Sequence, residues 1–288
     1  MKLMSNDDII DVYVKSKQRG LSFLLSKFRP HSLSRTTSTF NQAEISHSNW
    51  WIIPQVRKRW NKLICGNENI IYEDYMMENY LSKENNIRLL SIGSGSCSHE
   101  LALAKYSNFE EIVCVDLAQN RLDEAKNIAK ERQLTNLTFN CKDILSNQLE
   151  KNSFDIVFFH QSLHHFKNIE KFISSKIYDC LKPSGKLIIN EYVGPTRNQY
   201  SKKQIKSINK ALKIIPKKYR KRFKTNLVKN TFYGSGILRM ILADPSEGID
   251  SANIMPSIKA HFKTIVEKPY GGNLLMGVFK DISHHFIK

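Results

Sequence analysis

No run of apolar residues in this sequence approaches the ~18 that a membrane-crossing helix needs. The longest runs, such as Trp50-Trp51-Ile52-Ile53, are far shorter, so no membrane span is expected. Cysteine is sparse: five residues, at 65, 97, 114, 141 and 180, with no CxxC spacing. An odd number of isolated cysteines argues against a zinc or disulfide framework and suits free thiols in a reducing compartment, the cytoplasm. The N-terminus lacks a small-residue cleavage site and carries Asp7, Asp8 and Asp11, so it does not read as a secretory signal. Acid is missing altogether from Thr196 to Asn230, where thirteen basic residues stand.

What is present is enough to fold. Hydrophobic residues make up 41% of the 288 and aromatics 10%, which supports a sizeable core in one large domain or in one domain with a small companion. The formal net charge is +17; residues 196–230 hold +13 and residues 1–62 hold +7, leaving −3 for the remainder. A near-neutral body with two basic attachments attracts anions such as nucleic acid, acidic glycan, phosphorylated substrate or a lipid surface, or else carries a lysine-rich solvated face.

Residues 6–29 read as one or two amphipathic helices broken at Gly20, Ser32 to Thr39 as a polar linker, and 50–82 as helical again. From Ile87 the texture changes. Apolar runs at 88–92, 111–116, 137–141, 154–160 and 185–192 alternate with helical spacing at 99–106, 120–133 and 168–182. Continuously apolar strands between helices predict a parallel sheet covered on both faces. The rhythm stops at Gly194-Pro195. Residues 198–229 are basic and mostly helical, interrupted at Pro216, and 262–270 and 273–280 flank Gly271-Gly272 as a β-hairpin.

The sharpest motif is LLSIGSGSCSHELALAK, residues 89–105: a strand, a turn with Gly93 and Gly95, then a helix. Glycine is needed where backbone bends sharply and approaches a ligand with no Cβ in the way, and the start of the helix offers unpaired N–H groups. Asp116 closes the next strand, where an acid can accept from both ribose hydroxyls. Strand, turn, helix and strand-end acid together point to a nucleoside cofactor. A dinucleotide site needs a third glycine where Ser98 stands.

These residues resemble the Rossmann-like S-adenosylmethionine (SAM) dependent methyltransferases, whose turn reads roughly acid-x-G-x-G-x-G. Here Ser91 replaces the acid associated with the methionine ammonium, and Cys97 replaces the third glycine. The resemblance continues through Asp116-Leu117, Cys141-Lys142-Asp143-Ile144, Phe154-Asp155-Ile156-Val157 and Leu181-Lys182-Pro183-Ser184-Gly185. It implies a seven-stranded, doubly wound, mostly parallel sheet whose last two strands are the antiparallel hairpin. It also implies SAM bound by Ser91, Gly93, Ser94, Gly95, Cys97, Asp116, Leu117, Asp143 and Ile144, with His160 and Gln161 beside it. The implied organisation is a helical cap over 1–86, a SAM-binding core over 87–193, a basic helical lid over 194–257 and closing strands over 258–288.

The acceptor rim follows from the same topology, because ligands sit beyond the carboxyl ends of the strands. Ser162-Leu163-His164-His165 follows the fourth strand, and several family members acting on small molecules have a similar segment. Either histidine can serve as a base near neutral pH, with His165 slightly preferred, and Glu191 is the alternative. Tyr192 can wall the pocket. Arg57, Arg59 and Arg197 can grip a carboxylate or phosphate. No carboxylate stands at ligand spacing from the histidines, so no metal is expected. The [DNS]-P-P-[YFW] tetrad, a Pro-Cys nucleophile and an Asp-Asn after the fifth strand are all missing, which turns the reading away from amino-group nucleobase, pyrimidine C5 and catechol-type methylation. Residues 191–200, WIIPQVRKRW (51–60) and Asp244-Pro245-Ser246-Glu247 resemble a bacterial group linked with glycan or natural-product biosynthesis. The expectation is a cytoplasmic enzyme methylating a small-molecule or glycan acceptor, neutral or anionic, at a hydroxyl oxygen. RNA docked on the basic insertion, or a catalytically inactive SAM-binding protein, are the alternatives.

Overall fold

The computed structural model describes residues 2–19 and 49–287; the expected break at Gly20 and linker at Ser32 to Thr39 lie outside them. Five strands form one sheet: β1 (Ile87–Ile92), β2 (Phe109–Asp116), β3 (Leu137–Cys141), β4 (Phe154–His160) and β5 (Leu181–Asn190), in the order β3-β2-β1-β4-β5. Every pairing is parallel; Ser91 stands opposite Cys114 on one side and Phe158 on the other. Before β5 proper, Lys182 to Gly185 bulge out, because Phe154 pairs with Leu181 while Ile156 pairs with Lys186.

The sheet is apolar on both faces because each face meets helices. Leu89, Ile112, Cys114, Ile156 and Phe158 enter one core with Met76, Met77, Leu81 and Leu101. Leu90, Ile92, Val113, Val115, Val157 and Phe159 enter a second core with Leu163, Ile169 and Ile173. The period-2 alternation of a strand thus sends successive apolar residues to opposite layers. Each such buried side chain contributes about 1.5–3 kcal/mol.

Helices in chain order include α1 (Asn6–Arg19), α2 (Pro54–Cys65), α3 (Tyr72–Met76), α4 (Ser98–Leu103), α5 (Gln119–Glu131), α6 (Ile169–Phe172), α7 (Lys202–Ile214), α8 (Ile237–Ala243), α9 (Ile254–His261) and α10 (Leu275–Phe279). Proline opens α2 and left-handed Gly66 ends it, the expected placement of both residues. Ser201 and Gln204 form a reciprocal capping box on α7.

The expected hairpin is not formed. No strand occurs among residues 262–280, and Leu275–Phe279 is helical. The reason is a better burial partner than the sheet edge: Val278 and Ile282 join Ile208 and Leu212 of α7 in a third core. Gly277 sits so close that a Cβ there would lie 2.5 Å from Ile208 Cδ1.

The basic insertion meets acids that stand outside it. Asp7 accepts from the Tyr233 and Gly234 amides at 2.6 and 2.8 Å. Asp8 accepts from Gly236 N and Arg239 Nε, and Asp11 pairs with Arg239 and Lys280. Arg222 and Asp281 form a buried pair at 2.8 Å. Lys229 is buried and donates to Lys280 O; burial pushes its ammonium down to about 7.

Candidate active site

The order of the sheet reverses between β1 and β4, and the chains leaving these two strands build the site, where a crevice opens in sheets of this kind. The turn after β1 is held by Gly93 N and Ser94 N, which both donate to Val115 O at 2.7 and 3.2 Å. Gly93 has φ +71°, and a Cβ there would stand 2.6 Å from Ser162 Cβ beyond β4. Glycine is thus required for two strand ends to touch. Gly95 has φ +55° with open space where its Cβ would project, as a backbone that must receive a ligand needs. Cys97, at the position of the third glycine, is also left-handed (φ 52°) and fully buried. The family's glycine preference there is a backbone requirement that this thiol meets under strain on the order of 1 kcal/mol.

Asp116 Oδ2 accepts from Gly95 N and Oδ1 from Ala118 N, each at 2.8 Å. Asp143 follows β3, next to β2; its oxygens accept from Leu145 N and Ser146 Oγ at 2.9 Å, with Ile144 buried beside it. Leu117 is half-buried next to Asp116. Ser91 Oγ donates to Glu100 Oε1 at 2.5 Å. Glu100 Oε2 and Ser94 Oγ are buried and have no hydrogen-bond partner among the described residues.

His160 ends β4. Its Nδ1 accepts from Tyr72 OH at 2.7 Å, and its ring stacks on His99 at 3.5 Å. Burial, then the neighbouring His99, pushes His160 down to about 3, so it is a neutral acceptor. His99 contacts the buried carboxylate of Glu73. Gln161 Nε2 donates to Asn190 at the tip of β5. Tyr270 donates to the same asparagine, and behind Tyr270 stand Trp60 and Trp50, with ring centroids 5.3 and 5.1 Å apart in succession.

The two rim histidines are held differently. Glu191, its side chain fully buried, accepts from Ser162 N and Leu163 N at 2.5 Å, Tyr192 N at 2.8 Å and His164 Nδ1 at 2.7 Å. Burial alone would lower His164, but the bond and charge of Glu191, with Glu247 and Asp244, outweigh it and raise its pKa. His165 Nδ1 meets Ser246 Oγ at 3.0 Å, and that hydroxyl donates to Asp244 Oδ1 at 2.6 Å. Because the serine proton is spent on Asp244, His165 donates from Nδ1 and carries its lone pair on Nε2. Burial, then the charge of His164, lowers the pKa of His165. The pair is split, His164 pushed up and His165 pushed down from the ordinary imidazole value.

Glu247 stands out in the sequence only as part of a motif. It lies 4.0 Å from His164 Nε2 and accepts from Asn198 at 2.8 Å. Ligand atoms of His164, His165 and Glu247 all lie within 4.8 Å of one another. The expectation of no metal rested on a missing carboxylate, and the fold supplies one, so that ground does not stand. Arg197 is otherwise engaged than expected: Nη1 donates to Pro245 O at 2.8 Å and Glu247 O at 3.2 Å, which ties residues 245–248 to the start of the lid. Arg57 donates to Trp51 O, and Arg57 and Arg59 are exposed on α2. Tyr192 OH donates to Pro195 O, its ring 6.4 Å from that of His164.

Residues 83–259, more than half of the chain, match the family described as a methyltransferase domain, and the chain belongs to it. The methyl donor that the sequence resemblance implies for such a domain is SAM. The cradle fits that group: two left-handed glycines, open space over Gly95, and two buried polar atoms without partners. Among curated relatives, phosphoethanolamine N-methyltransferase 2 of Caenorhabditis elegans is 37% identical over 78 residues, 27% of this chain and 18% of that protein. The uncharacterized methyltransferase YcgJ of Bacillus subtilis is 27% identical over 108 residues, covering 38% and 42%. The chain spans less than half the length of these relatives. Similar solved structures include the [4+2]-cyclase SpnF, 28% identical over 41% of this chain and 43% of that one with a TM-score of 0.37. YcgJ is another, 21% identical over 49% and 58% with a TM-score of 0.39.

Proposed function

We propose that the chain is a cytoplasmic, SAM-dependent methyltransferase that methylates a hydroxyl of a small-molecule or glycan acceptor, with His165 as the base. The observation that carries the reading is the split histidine pair at the cofactor rim. Bound SAM supplies a methyl group on a sulfonium centre. The chain's own part is to orient the acceptor and take its proton. His165 Nε2 accepts that proton, its ring fixed through Ser246 by Asp244. His164, held by Glu191, keeps its own proton and positive charge beside the developing alkoxide. Tyr192 stands beside His164, and Tyr270, backed by Trp60 and Trp50, stands at the tip of β5; aromatic faces there would suit a sugar-like ring. Cytoplasmic residence is supported by the five free thiols, which suit a reducing compartment.

His165→Ala tests the reading directly. Turnover should fall about 10²–10⁴-fold with SAM affinity kept, since a general base acts on the reaction and not on cofactor binding. The wild-type kcat/KM should rise along a limb centred below the usual imidazole value of ~6.5, because His165 is lowered. Unchanged turnover would show that positioning alone suffices, or that Glu191 takes the proton. Exposed lysines on and after α7, including Lys202, Lys206, Lys210, Lys213 and Lys217, favour an anionic acceptor and keep an RNA acceptor as the second reading. RNA affinity would fall steeply with salt.

A further inference from the structure

The strand-end acid that the family resemblance associates with the methionine ammonium is missing here, and Ser91 holds its place. The fold puts a carboxylate at the same spot from another element. Glu100, on α4, reaches back to β1, and its Oε1 receives the Ser91 hydroxyl at 2.5 Å. The residue is 1% exposed, and its other oxygen, Oε2, is buried without a partner. Ser94 Oγ, in the glycine turn between Ser91 and Glu100, is likewise buried without a partner. A buried carboxylate oxygen left unsatisfied is costly and uncommon.

The local charges are also unbalanced. The ionisable side chains acting on Glu100 are His99 and Glu73, and His99 already contacts Glu73. Two acids thus share one histidine, and the surroundings otherwise belong to the core with Leu101, Cys97 and Cys114. One further positive charge with N–H donors would satisfy Oε2 and balance the site. Burial meanwhile raises the pKa of Glu100, and a cation bound at Oε2 would lower it again.

We propose that Glu100 is the residue that receives the ammonium of bound SAM, with the anionic contact moved from β1 to α4 and Ser91 positioning it through Oε1. A serine at the strand end is then half of an exchange: it donates to the relocated acid where an aspartate would have repelled it. The inference rests on SAM being the cofactor.

Calorimetry on the full chain separates the possibilities with two probes, S-adenosylhomocysteine, which has the ammonium, and 5′-methylthioadenosine, which lacks the amino-acid end. Glu100→Gln should bind S-adenosylhomocysteine at least tenfold more weakly and methylthioadenosine as the wild type does. The double variant Ser91→Asp/Glu100→Gln, which returns the carboxylate to the strand, should recover most of the loss. Equal weakening of both probes, or no weakening of either, overturns the proposal. If the variants do not fold, desamino-S-adenosylhomocysteine on the wild type still decides: binding within threefold of the amino form refutes an ammonium contact. A wild type that binds methylthioadenosine and S-adenosylhomocysteine not at all overturns the cofactor assignment as well, a result distinct from failure of Glu100 alone.

Discussion

Replacing Glu191 by Gln keeps the shape of the side chain and removes its charge from a fully buried position. In the wild type two carboxylate oxygens accept from three backbone amides and His164 Nδ1. A Gln oxygen can keep the Ser162 and Leu163 amides, but its NH2 then faces Tyr192 N–H and His164 Nδ1–H, donor against donor. Breaking a buried charged pair in this way costs about 3–5 kcal/mol. At ~2.1 cal/mol/K of unfolding entropy per residue, a chain of 288 residues should lose about 5–8 °C in Tm. The loss should depend on pH with a definite sign. His164 has a raised folded pKa, so its contribution is fully present below the free imidazole value of ~6.5 and is lost as pH rises through the folded value. In the variant, burial is left to dominate and the folded pKa falls below ~6.5, so the variant loses stability as pH falls. Thermal melts followed by circular dichroism at about pH 5.5 and 8.5, either side of that value, should therefore show the larger gap at the acid end. An equal gap at both, or a larger one at the alkaline end, would refute the assignment of Glu191 as the partner that charges His164.

Two further substitutions separate folding from cofactor binding. Gly93→Ala drives a Cβ to 2.6 Å from Ser162 at a left-handed backbone and should lower Tm markedly. Gly95→Ala meets nothing within 4 Å, so it should cost only the ~1–2 kcal/mol of a left-handed alanine while weakening S-adenosylhomocysteine at least tenfold by calorimetry. Replacing Lys202, Lys203, Lys217 and Lys218 together by Gln should slow capture of an anionic acceptor and flatten its salt dependence without changing SAM affinity; unchanged salt dependence in stopped-flow would reduce these lysines to a solubility feature.

The strand, glycine turn and facing acid were legible in the sequence because their determinants are local. A strand, the Gly93–Gly95 turn and an acid at the next strand end all fall between Leu89 and Asp116, and each is set by a backbone requirement. The acceptor half was only partly legible. His164, His165 and Glu191 stand at strand ends and could be found there. Ser246 and Glu247 arrive some 80 residues after the histidines they face, with no periodicity to announce what they touch. Glu100 carries no signal of its own, since nothing in a single sequence shows that its neighbours leave one oxygen bare. The C-terminal segment misled because apolar residues around Gly271-Gly272 fit both alternation and a short helix, and the choice was made by Ile208 and Leu212 of α7, far away in the chain.

The three acids of α1 close contacts across 226 to 269 residues of chain. Contacts of such separation are slow to form, because a long loop must be closed before they return anything. The five-stranded core can collapse on neighbouring strands and helices first. Arg239, in the insertion, must wait for Asp8 and Asp11 before its charge is offset. During synthesis, when domains assemble from the N-terminal side, α1 is made first and finds its partners last. The seating of α1 is therefore the late event of folding, and a chain stalled before residue 280 would hold a formed sheet while Asp11 still lacked one of its two cations.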